Sequence, residues 1–155
     1  MQTLRVVVEP HAPDHLKEVV QEGLALHTVA ATGQAEYYPM SIFLRDEHEE
    51  VLGGLLGHIW GKWLFVTHLW VAECVRQRGY GTKLLLAAER YAVERGCRNV
   101  ELHTFSFQAR PFYERLGYEV FAALDDFPPG HTKYFLRKHL SRRGDKLLPG
   151  PVSTH

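Results

Sequence analysis

A short glycine-rich stretch, RQRGYGTKLL, lies between an apolar run and a helical pattern. In such a turn, successive backbone N–H groups and a helix N-terminus can point into one concavity, which is the usual way that proteins bind phosphate. Gly79 and Gly81 would let the backbone approach an anion without an intervening Cβ atom, and Thr82 and two arginines could add donors. These residues predict a local site for a pyrophosphate.

The common phosphate-binding motifs do not fit this stretch. A Walker A loop requires Gly-Lys followed by Ser or Thr, whereas Lys83 follows Thr82. A dinucleotide fingerprint requires a third glycine, where this chain has Leu84. What remains is the pattern R-x-x-G-x-G.

The elements around the stretch must hold it in place. The run Trp63–Val71 is almost wholly apolar, which predicts a central strand covered on both faces. Residues 82–95 carry apolar side chains at helical spacing and are followed by Gly96 as a C-cap. The other predicted elements are a strand at 4–8, a helix opening at Asp14, a loop or short helix at 32–39, strands at 41–45, 51–60, 99–105, 118–124 and 132–137, and a short helix at 109–116.

The pattern R-x-x-G-x-G is followed by a predicted helix, a predicted strand and the segment FYERLGY. In this combination the chain resembles the GCN5-related N-acetyltransferase superfamily. The motifs cover about 63–140, and the first 60 residues agree only in element order. The resemblance implies an α/β fold with a mixed, mostly antiparallel, splayed sheet of about six to seven strands flanked by about four helices.

The resemblance also implies acetyl-CoA as cosubstrate and roles for particular residues. The loop backbone would bind the pyrophosphate, the edge of the central strand would pair with the pantetheine arm, Gln108 would stand where the family often has a cofactor-binding Asn, and Tyr113 would be the general acid. The implied cofactor contacts are Leu69, Trp70, Val71, Arg76, Gln77, Arg78, Gly79, Tyr80, Gly81, Thr82 and Gln108.

The general base is not identified by the resemblance. Relatives carry a Glu or His on the central strand, where this chain has Phe65, and the next residue on that face is Thr67. His68 is expected on the opposite face, and His103 lies on the following strand with its direction open; a satisfied core or interfacial histidine is the favoured interpretation of both. A chain of water molecules is the alternative base.

Two segments are expected to border the acceptor. TGQAEYYP contains Glu36, Tyr37 and Tyr38, and DDFPPGH contains Asp125, Asp126 and Phe127. Carboxylates beside aromatic rings suit a cationic acceptor. The alternative for the two aspartates is simple solvation of a hairpin turn. With Phe65 and Thr67, these residues are the candidate acceptor contacts.

The predicted function is transfer of acetyl from acetyl-CoA to a primary amine by direct attack in a ternary complex. Nothing in the sequence is placed to activate Cys74 as a nucleophile. The alternatives are a non-catalytic acyl-CoA sensor and an acyltransferase with another acyl donor or an oxygen acceptor. Tyr113 favours the enzyme.

Composition sets the remaining expectations. The chain has 155 residues, 45% of them hydrophobic, and 18 basic against 18 acidic side chains, which predicts one domain over 1–140 with a poorly ordered tail at 141–155 and argues against nucleic-acid binding. Ten histidines are scattered rather than clustered for a metal. Two cysteines, no leader peptide and no membrane-length apolar run predict a soluble, cytoplasmic protein without a membrane partner. A homodimer is left open.

Overall fold

The computed structural model describes residues 2–141. They fall into two compact units, one made by the chain up to Glu36 and one made by the chain from Tyr37 onward. The division into a domain at 1–140 and a tail stays a prediction, because residues 142–155 of that tail lie outside the described part of the chain.

The first unit contains helix α1, Asp14–Thr32. The helix begins after Pro13 and ends at Gly33, which has a left-handed φ of 70° and donates its N–H to the carbonyl of Val29 at 2.8 Å. The predicted start at Asp14 is confirmed. The prediction of a strand at 4–8 is wrong, since these residues have no regular secondary structure. Their β-branched composition favours an extended backbone, but a strand also needs a partner for its N–H and C=O groups.

The second unit is a six-stranded sheet in the order β1-β2-β3-β4-β6-β5. Neighbouring strands are antiparallel except for the parallel pair β3 and β4. The mixed, mostly antiparallel class is therefore confirmed, with three α-helices among residues 2–141 instead of about four. The elements are β1 Tyr37–Arg45, β2 Val51–Trp60, β3 Trp63–Val71, a 3-10 turn Glu73–Val75, α2 Tyr80–Glu94, β4 Asn99–Phe105, α3 Arg110–Arg115, β5 Glu119–Asp125 and β6 Thr132–His139.

The segment predicted as a loop or short helix at 32–39 is partly strand. Strand β1 begins at Tyr37, which pairs with Trp60 at the far end of β2. Pro39 lies within β1, and a proline is tolerated there because β1 is the edge of the sheet.

The core of the second unit forms where α2 packs against the sheet. Leu85, Ala88 and Ala92 of α2 are fully buried, as are Leu64 of β3 and Val100 of β4. Each such leucine contributes about 2 kcal/mol by leaving water. Strand β3 is central, as predicted. Its side chains alternate between half-buried and buried from Trp63 to Val66, but Thr67, His68 and Trp70 are exposed, so the second half of the strand is not covered on both faces.

Strands β3 and β4 pair only over their first halves. The parallel pairs run from Trp63 with Asn99 to Val66 with Leu102 and then stop. Beyond this point β3 stays paired with β2, and β4 stays paired with β6. The sheet is therefore splayed, as expected, and the two strands open a gap toward their carboxyl ends.

A β-bulge lies at the same point of β3. Val66 is opposite Gly57 and His68 is opposite Leu56, which leaves Thr67 as an extra residue. A bulge shifts the alternation of side chains beyond it by one position. Leu69 therefore packs toward the core, and His68 takes the face that Phe65 occupies before the bulge. The expectation that His68 points to the opposite face is wrong for this reason.

Candidate active site

A cleft of about 1210 Å³ opens where β3 and β4 separate. Its walls come from the end of β3, the glycine loop with the start of α2, the end of β4, and α3. It gathers nearly all of the predicted cofactor contacts: Leu69, Trp70, Val71, Arg76, Gln77, Gly79, Tyr80, Gly81, Thr82 and Gln108, together with Thr67 and Tyr113. Arg78 does not line it.

The start of α2 forms the anion-binding end of the cleft. Gly79 is the N-cap with a left-handed φ of 81°, and a Cβ atom built there would meet nothing within 4 Å. The first intrahelical bond joins the N–H of Lys83 to the carbonyl of Gly79 at 3.0 Å. The three N–H groups before it, from Tyr80 to Thr82, are therefore left for an anion, and no acidic residue lies in the first turn.

The two motif glycines have different roles. Gly81 lies inside α2 and does not have a left-handed φ, so any residue could adopt its backbone conformation. A Cβ atom there would lie 3.4 Å from Cζ of Phe112, so the missing side chain makes room for α3 rather than for the backbone angle. Of the two, only Gly79 combines a positive φ with open space around the position of a Cβ atom.

Arg76 connects the glycine loop to the end of β3 by a hydrogen bond. Its Nε donates to the carbonyl of Val71 at 2.9 Å, which holds the loop against the end of β3 and leaves the terminal guanidinium N–H groups for a ligand. Between the two arginines, Gln77 has a positive φ of 61°. A side chain in that conformation costs about 1 kcal/mol or more, so the loop is held by its surroundings.

The middle of the cleft is an open strand edge. Residues 69–71 pair with Gly53, Gly54 and Leu55 of β2 along one edge. Their other edge faces the gap where β3 has parted from β4. An extended ligand that contains amides can pair with such an edge as an added strand does.

Gln108 stabilises the end of β4. Its Oε1 accepts from the N–H of Phe105 at 3.1 Å and from the hydroxyl of Thr104 at 3.3 Å. Thr104 in turn accepts from the N–H of Ala109 at 3.3 Å. The side-chain carbonyl of Gln108 is therefore used internally, and its NH₂ group is the part that remains for a ligand.

Tyr113 lies on α3 and is 8% exposed. Its ring makes edge contacts with Phe112, at a centroid distance of 5.1 Å, and with Tyr118, at 6.0 Å. Burial raises the pKa of Tyr113 above its ordinary value, which keeps the hydroxyl protonated at neutral pH. The residue can therefore donate a proton or a hydrogen bond into the cleft.

Two histidines, His68 and His103, also line the cleft. Thr67 donates its hydroxyl to the carbonyl of Leu56 at 3.1 Å, and its oxygen lies 3.0 Å from Nδ1 of His68. Neither histidine is buried in the core: His68 is exposed and His103 is half-buried. The bulge that redirects His68 leaves no signal in a single sequence. The other cleft residues that sequence reasoning missed are Val75, Thr104, Phe105, Ala109, Phe112 and Arg115.

Most of the expected acceptor contacts lie outside this cleft. Tyr37 stacks on His58 at 4.9 Å, and His58 stacks on Phe65 at 4.9 Å, which forms an aromatic row across β1, β2 and β3. Tyr38 follows in β1, and Glu36 ends the first unit. A role in binding the acceptor stays a prediction for Glu36, Tyr37, Tyr38 and Phe65.

The β5–β6 turn approaches the cleft only through Phe127. Its ring stacks on Phe105, a cleft residue, at a centroid distance of 5.8 Å. Asp125 and Asp126 are exposed, and Asp125 lies 3.5 Å from the hydroxyl of Thr132. The ammonium of Lys133 lies 5.0 Å from the ring of Phe127, so the chain itself supplies a cation to this ring.

Within residues 2–141 no group of three or more His, Cys, Asp and Glu side chains is arranged to hold a metal ion. In the same residues, no helix is both long enough and apolar enough to cross a membrane.

Comparison with known proteins agrees with the geometry. A model of the acetyltransferase (GNAT) family matches residues 10–118. Blasticidin-S acetyltransferase of Streptomyces morookaense is 38% identical over 120 residues, which are 75% of this chain and 88% of the relative. A crystal structure of an acetyltransferase from Bacillus cereus ATCC 14579 has a TM-score of 0.77 and 31% identity, covering 87% of this chain and 98% of that one.

A more distant structure shares the fold. It comes from Bacillus anthracis str. Ames and was solved in complex with acetyl coenzyme A. Its TM-score is 0.57 at 18% identity, over 66% of this chain and 62% of that one, which is a likeness of fold.

Proposed function

The chain belongs to the GNAT family of acetyltransferases, and from that premise we propose that it transfers acetyl from acetyl-CoA to a primary amine by direct attack in a ternary complex. The observation that carries the proposal is the composition of one continuous cleft. It combines the backbone N–H groups of a helix start, a strand edge that β4 has left, and a buried tyrosine.

Each of these groups has a counterpart in acetyl-CoA. The pyrophosphate would lie on the N–H groups of residues 80–82, and the two amides of the pantetheine arm would pair with β3 at residues 69–71. The thioester would then lie near Tyr113 and the point where β3 and β4 separate. The Bacillus anthracis structure supports this cofactor, since it has the same fold and contains acetyl-CoA.

In the reaction, the amine nitrogen attacks the thioester carbonyl carbon, a C–N bond forms and the C–S bond breaks. Tyr113 donates its hydroxyl proton to the departing sulfur, which leaves coenzyme A as the thiol. A thiol has a pKa of about 8.5 and tyrosine one of about 10, which burial raises further here, so full transfer is uphill. A hydrogen bond that stabilises the developing thiolate supplies much of the benefit.

A covalent enzyme intermediate does not fit this cleft. Cys74 is exposed in the 3-10 turn and is not among the cleft-lining residues. Cys97 is buried, and burial raises the pKa of its thiol, which disfavours the thiolate nucleophile.

Blasticidin S is the first acceptor to test, because the relative named for it is 38% identical over 75% of this chain. Among the expected acceptor contacts, Thr67 and Phe127 have the best geometric support, since one lines the cleft and the other stacks on its wall. A role for Asp125 and Asp126 in attracting a cation stays a prediction. The expectations of a cytoplasmic location and of no nucleic-acid or membrane partner stay predictions too, and the oligomeric state stays open.

The test is a screen of amines with acetyl-CoA, read by release of free thiol and by mass spectrometry of the acceptor. We expect thiol release to require both substrates and the acceptor to gain one acetyl group on nitrogen. Tight binding of acetyl-CoA with no thiol release for any amine would instead indicate a sensor. Acetylation of alcohols alone, or faster turnover of a longer acyl-CoA, would indicate the other acyltransferases.

A further inference from the structure

His103 lies where the two central strands part. It follows Leu102, the last residue of β4 that pairs with β3, and it lines the same cleft as Tyr113. Its side chain is half-buried, with Phe105 at a ring-centroid distance of 6.1 Å and Phe135 at 6.2 Å. The imidazole therefore lies between two aromatic rings and borders the cleft.

The charged groups around His103 come from three strands. Lys133 lies on β6, His68 lies on β3, and Glu101 lies two residues earlier on β4 with its side chain on the same face. Burial, then the charge of Lys133, then that of His68, lowers the pKa of His103 below 6.5. At pH 7 the ring is therefore mostly neutral, with a nitrogen that can accept a proton.

The reaction needs such a group. An amine that attacks a thioester becomes strongly acidic as the C–N bond forms, and its proton has to leave for the amide to form. Phe65 has no basic group, and the hydroxyl of Thr67 is engaged with the carbonyl of Leu56 at 3.1 Å. Glu101 is half-buried and pairs across the sheet with Phe65 on one side and Arg137 on the other, outside the cleft.

We propose that His103 is the general base, accepting the proton of the acceptor amine as its nitrogen attacks the thioester. The inference rests on the acetyl transfer proposed above. The amine loses one proton to the imidazole and forms the C–N bond, the C–S bond breaks, and Tyr113 gives one proton to sulfur. His103 then passes its proton to solvent and Tyr113 takes one back, so the protein returns to its starting state.

His68 is the rival for this role. Because the Thr67 hydroxyl donates to Leu56, the contact between Thr67 and Nδ1 of His68 requires an N–H on that nitrogen, which leaves Nε2 of His68 as an acceptor. His68 is exposed, however, so water is the competing partner for its nitrogen. His103 is enclosed by rings and is the better positioned of the two.

The first test needs no acceptor. Histidine side chains of the full chain are labelled with ¹³C and followed by NMR, with His103→Gln giving the assignment. We expect the His103 resonances to differ between the acetyl-CoA and CoA complexes, because only the former places an acetyl group beside the ring, whereas those of His48 in the β1–β2 turn stay unchanged. Identical His103 resonances in the two complexes would overturn the proposal.

The second test is kinetic, with the amine that the screen identifies. His103→Gln should lower kcat by about 100-fold or more while the Kd for acetyl-CoA stays within about two-fold, and the acid limb of the kcat–pH profile should disappear. His48→Gln should match the parent. A full loss in His68→Gln or Glu101→Gln with none in His103→Gln would overturn the proposal. A parent chain that binds acetyl-CoA with the NMR signature but acetylates no amine would instead contradict the proposed function.

Discussion

Replacing Gly79 with valine should weaken acetyl-CoA binding by about 2 kcal/mol or more, a ~30-fold rise in Kd. The φ of 81° disfavours any side chain, and Gly79 lines the cleft where the pyrophosphate is proposed to lie, so a branched group there would compete with the phosphates for space. Isothermal titration calorimetry of the parent and the variant gives the two constants.

Gly96→Val is the matched control. Gly96 follows the other end of the same helix with a φ of 83°, and a Cβ atom there also meets nothing within 4 Å. Both variants should therefore lose similar stability in thermal unfolding, and only Gly79→Val should lose affinity. Equal Kd values for the Gly79→Val variant and the parent would show that the loop does not hold the phosphates.

Replacing Tyr113 with phenylalanine should lower turnover about 10- to 1000-fold and leave the Kd for acetyl-CoA nearly unchanged. The change removes the hydroxyl and keeps the ring that packs against Phe112 and Tyr118. Steady-state thiol release at saturating acetyl-CoA measures the effect.

Tyr118→Phe provides the comparison. Tyr118 is 3% exposed and lies beside Tyr113 at 6.0 Å, but it does not line the cleft. Burial, and next the charge of Glu89, raises the pKa of its hydroxyl above the ordinary value. We expect the variant to turn over at the parent's rate. Parental turnover in Tyr113→Phe would assign Tyr113 to packing alone.

The local elements of the second unit are well encoded in the sequence. Strands at 51–60, 63–71 and 99–105 were predicted with the bounds that the structure has, because tight turns and a helix C-cap delimit them. The cleft residues from the loop and α3 could be predicted for a similar reason, since R-x-x-G-x-G and FYERLGY each lie on one continuous segment.

Features that depend on pairing between distant segments were not predictable. The strand expected at 4–8 has the right composition, yet composition says nothing about a partner. The bulge at Thr67 inserts one residue into β3 and changes the face of every side chain after it, which is why His68 was misplaced. The direction of His103 follows from the register of β4 against β6, where it pairs with Phe135.

The measurement that tests the account most directly is hydrogen–deuterium exchange of the full chain with and without acetyl-CoA. The account predicts slower exchange in peptides that contain the N–H groups of residues 69–71 and 80–82, where the pantetheine arm and the pyrophosphate are proposed to bind. It also predicts no change in β5, Glu119–Asp125, none of whose residues lines the cleft. Saturating acetyl-CoA that leaves exchange at 69–71 and 80–82 unchanged would contradict it.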